Sequence, residues 1–260
     1  MSAYDTAVLA DAPTAFYKLN EASGATAADS SGNGYSLNYG TGVTLGSPNL
    51  APGLDGSSIT CGSTTGGTNS VNSAGRVAAL EPSALVSVEA WFSVSIIAGT
   101  QQPVSYGGGG TSLSYGLYLS GNAFAFRLCT GGVANNLSGG TTLANTVYHL
   151  VGVFTGVSQL LYLNGALLAS QAVAGSISGY SGTAGLTLGS NATYSTALNG
   201  SMACAAVYAG IALSAARVLA HYNAGTATSG TIGNGDNPAG AIGDGGVAGG
   251  TTGNGSTYLP

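Results

Sequence analysis

Short apolar runs, each ended by a cluster of Gly, Asn or Ser, recur through most of this 260-residue chain. The clearest pair spans residues 148–170, YHLVGVFTGVSQLLYLNGALLAS, in which Asn164-Gly165 joins two such runs. Asn-Gly readily adopts the positive φ angles of a type I′ turn, so this stretch predicts a tight β-hairpin. Many short strands with turn residues between them are typical of a sandwich or barrel. The chain is therefore predicted to be an all-β, antiparallel sandwich of jelly-roll type.

Alternation within residues 86–94, VSVEAWFSV, places Glu89 and Trp91 on the opposite face from Val88 and Ala90. Neither face is fully polar, so this strand is predicted to be buried on both sides. Trp91 is therefore expected in the core. A role in sugar binding is not expected, because a ring that stacks on a sugar must be exposed. Other strand candidates are AFYKL at 15–19, YGLYLS at 115–120, AFAFRLC at 123–129, GLTLGS at 185–190 and SMACAAVY at 201–208.

Two helices are expected at the ends of the sandwich. Residues 4–10 form a short N-terminal helix behind Ser2. Residues 213–222 form a closing helix with Ser214 as its N-cap and Gly225 as its stop.

The sequence changes character after this helix, which predicts a domain over residues 1–224 and a Gly-rich arm over 225–260. The arm has no strict three-residue period, so it is not collagen, and few of its side chains could fill a core. We expect a neighbouring subunit to hold it, with Tyr258 and Leu259 as a terminal anchor.

Charged residues make up only 5% of the chain, against roughly 25% in an average globular protein. The four basic residues, Lys18, Arg76, Arg127 and Arg217, are not clustered, which argues against nucleic-acid binding. No apolar run approaches the ~18 residues of a membrane-spanning helix. The three cysteines are far apart and lack a CxxC or a nearby His, which predicts buried free thiols: Cys61, Cys129 and Cys204.

The first twenty residues lack the basic and apolar segments of a signal peptide. We therefore expect assembly in a cytoplasm, with an extracellular location reached by another route as the alternative.

No pattern of catalytic residues is present. The physical requirement of a glycosidase is two carboxyl groups roughly 5–9 Å apart, whereas Glu21, Glu81 and Glu89 are isolated in the sequence. A Gly-x-Ser-x-Gly elbow is also missing. His149 lies in a β run and is expected to be a hydrogen-bonded sheet residue, with a catalytic base as the alternative. His221 is expected to interact with the dipole near the end of the closing helix. The chain is predicted not to be an enzyme.

One loop carries candidate metal ligands. Residues 29–34, DSSGNG, place Asp29 and Asn33 where their oxygens could bind Ca²⁺. The alternative is an Asx-turn that Asp and Asn build without a metal. Either no cofactor or Ca²⁺ is therefore expected.

Four of the 14 tyrosines lie beside Gly or Ser loops and could stack on sugars or pack on a neighbouring protein: Tyr106, Tyr115, Tyr180 and Tyr194.

Six motifs, in order, resemble a bacterial and phage branch of the laminin G-like, concanavalin A-like lectin/glucanase sandwiches. They are YDTAVLADAPTAFYKLNEASG from residue 4, ADSSGNG from 28, VSVEAWFSV from 86, the hairpin from 148, GLTLGS from 185 and LNGSMACAAVYAGIALSAARVLAHYNAG from 198. The resemblance covers about residues 3–225 and implies a two-sheet sandwich. The chain departs from the family pattern at Met202-Ala203-Cys204 and at Leu54-Asp55-Gly56-Ser57-Ser58, where relatives carry acidic residues. This difference implies that some calcium ligands at the rim are lost.

These features favour a non-enzymatic structural protein on the surface of a large assembly, with decoration of a bacteriophage virion as the favoured case. Its expected partners are neighbouring copies or a capsid protein, and it would be attached partly through the Gly-rich arm. The alternative is a carbohydrate-binding module that adheres to cell-surface glycans. A glycoside hydrolase is the third and weakest hypothesis. No nucleic-acid or membrane partner is expected.

Overall fold

A computed structural model describes residues 1–62, 69–107, 113–180, 183–191 and 196–228. Its helices are α1 (Ala3–Ala10) and α2 (Ala215–Thr226), with a short 3-10 helix at Ala78–Leu80. The strands are β1 (Ala15–Tyr17), β2 (Thr26–Ala27), β3 (Leu37–Tyr39), β4 (Thr44–Ser47), β5 (Ser58–Cys61), β6 (Val71–Asn72), β7 (Val86–Val94), β8 (Thr100–Gly107), β9 (Leu113–Ser120), β10 (Ala123–Thr130), β11 (Val133–Gly139), β12 (Val147–Phe154), β13 (Ser158–Leu163), β14 (Ala166–Ala172), β15 (Leu186–Leu188) and β16 (Gly200–Ala209).

The strands form two antiparallel sheets, which confirms the predicted sandwich. Sheet A has the order β14-β13-β12-β7-β16-β5-β4, with β1 also paired to β16. Sheet B has the order β11-β10-β9-β8-β15-β6-β3-β2. Strand β7 lies at the centre of sheet A and is buried along nearly its whole length, as its apolar pattern predicted.

The Asn-Gly hairpin is confirmed. Asn164 and Gly165 have φ angles of 51° and 81°, and they join β13 to β14. Both angles are in the region that a type I′ turn requires. Oδ1 of Asn164 also accepts a hydrogen bond of 2.9 Å from the backbone N–H of His149, which fastens the turn to β12.

The main core lies between the two sheets. Gly152 on β12 faces this core, and a Cβ atom there would lie 2.5 Å from the ring of Phe126 on β10. Such an approach is far inside van der Waals contact, so glycine is needed for the ring of sheet B to pack on the backbone of sheet A. This position illustrates how closely the two sheets approach.

A second apolar layer lies between the outer face of sheet A and the two helices. It contains Tyr4 and Val8 of α1, Val218 of α2 and Trp91 of β7. The short helix predicted behind Ser2 is confirmed, and Ser2 caps it through a reciprocal capping box with Asp5. The core position of Trp91 is confirmed, because only 2% of its surface is exposed.

Helix α2 begins behind Ser214 as predicted, but it does not stop at Gly225. Gly225 is helical and buried, and a Cβ atom there would lie 2.3 Å from Cζ2 of Trp91. The residue is glycine because the helix backbone rests directly on the indole ring, and the helix continues to Thr226. The prediction of a glycine stop was therefore wrong.

All three cysteines are buried, as predicted, and Cys61 and Cys204 are free thiols. Across the described part of the chain, no helix is long and apolar enough to span a bilayer. The arm prediction falls almost wholly on residues 229–260, and its anchor residues Tyr258 and Leu259 lie outside the described residues.

Candidate functional site

One row of side chains crosses the outer face of sheet B, the face that points away from the core. Directly paired residues of neighbouring strands lie on the same side of a sheet. Following those pairs from β2 to β11 gives eight positions that are all polar or glycine. We call them the polar row: Thr26, Asn38, Asn72, Thr187, Ser105, Gly116, Arg127 and Asn136.

The two ends of the polar row are accessible and its centre is covered. Asn38 and Asn136 are exposed, whereas Ser105 and Thr187 are 0% and 3% exposed. The hydroxyl of Ser105 donates to the carbonyl oxygen of Ser190, so the chain after β15 packs over the middle of the row. Solvent therefore reaches two separate polar patches on this face.

Three side chains form a connected group at the β9–β11 end of the row. Nε of Arg127 donates a hydrogen bond of 2.6 Å to Oδ1 of Asn136. The guanidinium carbon lies 5.5 Å from the centroid of the Tyr118 ring, within the range of a cation–π contact. Tyr118 and Arg127 are both half-buried, which leaves part of each side chain in contact with solvent.

Asp29 organises the loop that was predicted to bind calcium. Its Oδ1 accepts hydrogen bonds from the backbone N–H groups of Phe16 and Ser31, and its Oδ2 accepts one from Tyr35. Nδ2 of Asn33 donates to the carbonyl oxygens of Pro13 and Thr14. These contacts are those of the Asx-turn alternative.

Calcium binding at Asp29 and Asn33 stays a prediction. Within the described residues, no group of three or more His, Cys, Asp or Glu side chains is arranged to hold a metal ion.

The same loop borders a cleft of about 490 Å³. Leu9, Ala12 and Pro13 give it an apolar side, and Asn33 and Tyr35 give it a polar one. Binding clefts for small molecules commonly combine apolar walls with a few polar groups. The cleft is therefore a second candidate site, at the edge of the sandwich.

Two of the four predicted contact tyrosines are in the core. Tyr106 and Tyr115 are 0% exposed and stack on each other with ring centroids 5.3 Å apart. Their hydroxyls bond to the segment before β7, at Val77 and Leu80. Neither ring reaches solvent, so their prediction as contacts to a sugar or a neighbour is corrected. Both rings point into the core between the two sheets.

Tyr180 is half-buried, and its hydroxyl donates to the carbonyl oxygen of Pro82. Tyr194 lies outside the described residues.

Ionisable side chains meet beneath the helices that cover sheet A. Oε2 of Glu89 is 2.8 Å from Nε2 of His149 and 3.2 Å from Nδ1 of His221. Oε1 of Glu89 accepts a hydrogen bond from the hydroxyl of Tyr208. Nε2 of His221 lies 2.9 Å from Oδ2 of Asp11, the residue that ends α1. We call these five residues the buried cluster.

The charges of the buried cluster stabilise one another. Burial would raise the pKa of Glu89, but the charge of His221 and the hydrogen bonds from His149 and His221 hold it well below its usual range. Burial would lower the pKa of His221, and Glu89 and Asp11 outweigh this effect and raise it. The arrangement therefore favours an ionised Glu89 and a protonated His221.

The buried cluster holds the helices on the sheet. Glu89, His149 and His221 are all 0% exposed, so no group in solution reaches their polar atoms. The role of His149 as a hydrogen-bonded sheet residue is confirmed. One expectation was wrong, because His221 lies inside α2 and bonds to Glu89 and Asp11 instead of interacting with the helix end.

The apolar departures from the family pattern do not lie on a rim. Met202, Ala203 and Cys204 are at most 1% exposed within β16, so carboxylates there would be buried. Asp55 forms an ion pair of 2.9 Å with Lys18, which also pairs with Asp5 at 2.8 Å. The inference that rim ligands were lost at 202–204 is therefore corrected.

Sequence reasoning missed Tyr118, Arg127 and Asn136 as members of one surface. A signal was available in the alternation of the two central strands. Leu117 and Leu119 flank Tyr118, and Phe126 and Leu128 flank Arg127, which places the two polar residues on the outward side. The pairing of β9, β10 and β11 could not be read from that pattern alone.

Comparison with known proteins supports the fold. A family model described as the concanavalin A-like lectin/glucanases superfamily matches residues 65–219. The binding domain of Paraclostridial Mosquitocidal Protein 1 is 15% identical, with a TM-score of 0.59 over 83% of this chain and 52% of that one. The botulinum neurotoxin serotype D/C binding domain is 14% identical, with a TM-score of 0.61 over 83% and 52%.

The chain thus spans about half the length of these solved structures, and no curated protein matches its sequence. The family match covers more than half of the sequence, along the strands that build both sheets. The resemblance first visible in the motifs is confirmed, and the chain belongs to the concanavalin A-like lectin/glucanases superfamily.

Proposed function

We propose that this chain is a non-catalytic carbohydrate-binding domain and that the polar row on sheet B contacts the sugar. The observation that carries the proposal is the difference between the two outer faces of the sandwich. Helices α1 and α2 pack on sheet A, whereas sheet B presents amide, hydroxyl and guanidinium groups in register. Sugar hydroxyls both donate and accept hydrogen bonds, and Asn and Arg side chains are suitable partners.

The geometry of each accessible end of the row suits a short stretch of a sugar chain. Neighbouring strands are about 4.8 Å apart, so successive row positions offer hydrogen-bonding groups at a regular spacing. Asn38 and Asn72 are directly paired at one accessible end, and Arg127 and Asn136 are paired at the other. A chain of sugars would contact one of these two ends, because the covered centre of the row separates them.

The solved structures are consistent with a binding role. The two structures above are binding domains, and a third similar structure concerns the interaction of botulinum neurotoxin type C with two ganglioside molecules. That structure is 14% identical to this chain, with a TM-score of 0.57 over 84% of it and 52% of that chain. At such identity the likeness concerns the fold, so the argument for this chain remains the polar row.

A glycan array with the full chain, followed by calorimetry on any saccharide bound, tests the proposal. We expect the double variant Asn38→Ala, Asn72→Ala to weaken binding about 30-fold if that end is used, since the two removed hydrogen bonds contribute roughly 1 kcal/mol each. Asn223→Ala, an exposed amide on α2, is the matched control and should bind as the parent does. An array without any bound saccharide, using folded protein, would overturn the proposal.

The second candidate function is a structural protein on the surface of a virion or similar particle, with an extracellular location as the alternative. Its support is the sequence: 5% charged residues and the Gly-rich residues 229–260. Low charge reduces the desolvation cost of packing polar surfaces together. Because α2 runs to Thr226, a deletion of residues 229–260 spares the helix and is the appropriate test of attachment. Unchanged occupancy of the deleted chain on its particle would contradict this candidate.

A further inference from the structure

Arg127 differs from the other three basic side chains. Lys18 pairs with Asp5 and Asp55, Arg76 pairs with Glu81, and Arg217 pairs with Asp11. In the described parts of the chain, Arg127 has no carboxylate within ion-pair distance. Among the residues that the structure describes, Arg127 is thus the one basic side chain without a paired carboxylate, and it lies on the polar face of sheet B.

The guanidinium of Arg127 is held on one side and open on the other. Its Nε is fixed by Asn136 Oδ1 at 2.6 Å, and its plane is supported by the Tyr118 ring. An arginine has five N–H donors, and the bond to Asn136 uses the one on Nε. The terminal amino groups are left to bind a ligand, with the side chain already oriented.

The neighbouring positions complete a shallow surface. On the adjacent row, Tyr118 pairs with Ala125, and Ala125 pairs with Ser138. Ala125 is buried and contributes only a methyl group, while Ser138 is exposed. An aromatic ring, a cation and a hydroxyl therefore lie around Ala125 on this face of the sheet.

We propose that Arg127, Tyr118, Asn136 and Ser138 form a subsite for an acidic sugar residue whose carboxylate binds the terminal amino groups of Arg127. This inference rests on the carbohydrate-binding function proposed above and names the class of sugar. A planar guanidinium matches a carboxylate in a two-point hydrogen bond. The apolar face of the sugar ring packs on Tyr118, and its hydroxyls reach Ser138 and the amide nitrogen of Asn136.

Matched probes distinguish the contribution of the carboxylate to binding from that of the rest of the sugar. Calorimetry compares an oligosaccharide ending in glucuronic acid with the same oligosaccharide ending in glucose, and with a 6-sulfated glucose version. We expect the glucuronic acid probe to bind at least about 10-fold more tightly than the neutral probe, as charge-assisted hydrogen bonds are worth roughly 1.5–3 kcal/mol. A preference for the sulfated probe over the carboxylated one would assign the site to sulfate esters and overturn the carboxylate assignment.

Arg127→Gln should abolish the preference for the acidic probe over the neutral probe. Arg127→Lys keeps the positive charge but loses the planar guanidinium that can form two parallel hydrogen bonds. This variant should therefore retain only part of the preference for the acidic probe. Arg76→Gln is the matched control, because it lowers the net charge equally at a different surface. Equal loss in Arg76→Gln would mean that general electrostatic attraction, not this subsite, causes the preference, and it would overturn the inference.

The outcomes distinguish the inference from the function on which it rests. Equal binding of acidic and neutral probes, lost in the polar-row variants, overturns the acidic subsite alone. Absence of binding to every saccharide overturns both. A melting curve of each variant establishes that it is folded, and Tyr118→Ala provides a second variant that should weaken binding of both probes.

Discussion

The carboxylate of Glu89 on β7 lies 3.2 Å from Nδ1 of His221 on α2, across 132 residues of sequence. Both side chains are completely buried, so this contact fastens the closing helix to the centre of sheet A. It also explains why a nearly uncharged protein keeps an acid and a histidine in its interior. The acid and the base stabilise each other in a place where either one alone would be unfavourable.

Replacing Glu89 should therefore strongly destabilise the fold. Glu89→Gln leaves a protonated His221 without its buried anion, and removing one partner of a buried pair costs about 3–5 kcal/mol. Urea unfolding at pH 5.5 measures this loss. The same change at the partly exposed pair of Glu81 and Arg76 should cost much less. Equal losses in the free energy of unfolding at the two sites would contradict the conclusion that burial makes the Glu89 pair important for stability.

Stability should be greatest between about pH 4.5 and pH 6.5. The folded-state pKa of Glu89 is lowered, so its contribution is present above the unfolded value near 4.5 and decreases as the pH falls below it. The folded-state pKa of His221 is raised, so its contribution is complete below the unfolded value near 6.5 and decreases as the pH rises through the folded value. Unfolding free energies measured from pH 3 to pH 9 test this profile.

The groups that face His221 are Glu89 on β7, Asp11 after α1, Arg217 on its own helix, and the rings of Tyr4 on α1 and Tyr208 on β16. His221→Gln removes the titrating group and should flatten the profile above pH 6.5. A free energy of unfolding that keeps rising from pH 6.5 to pH 8 in the parent protein would contradict this assignment.

Gly225→Ala should destabilise the protein, although alanine is the better helix former by about 1 kcal/mol. The new methyl group would lie 2.3 Å from Cζ2 of Trp91 and force α2 away from the sheet. Overpacking of this kind costs about 1–3 kcal/mol. Asn223→Ala, exposed on the same turn, should be neutral or slightly stabilising. A rise in Tm for Gly225→Ala would mean that the helix is not seated on the indole.

Asp29→Ala should destabilise the loop between β2 and β3 even without calcium. The change leaves three backbone N–H groups, those of Phe16, Ser31 and Tyr35, without their acceptor. A loss of about 2 kcal/mol in the free energy of unfolding is expected, since an unsatisfied buried donor costs roughly 1–3 kcal/mol.

The calcium prediction is tested on the same loop. If Ca²⁺ binds at Asp29 and Asn33, millimolar calcium should raise the Tm of the parent protein, and Asp29→Asn should abolish the rise. A Tm that does not change with calcium would contradict this prediction and leave the Asx-turn as the whole role of Asp29.

Local pattern was sufficient for several elements of this fold. Asn164-Gly165 carries the backbone preference of its own turn, and Ser2 and Ser214 carry the caps of their helices. The apolar run of β7 predicted its burial on both faces. These predictions succeeded because each depends on residues close together in the sequence.

The pairings that define the candidate sites depend on residues far apart in the sequence, and only the tertiary structure decided them. The alternation around Tyr118 and Arg127 shows that both side chains point outward, but the register of β9, β10 and β11 brings Asn136 to Arg127. Glu89 and His221 approach only because α2 folds back over sheet A. The sequence thus determined which surfaces are polar and which segments are strands, since these follow from local chemistry. The partners of each buried or exposed charge were determined by how the strands and helices pack.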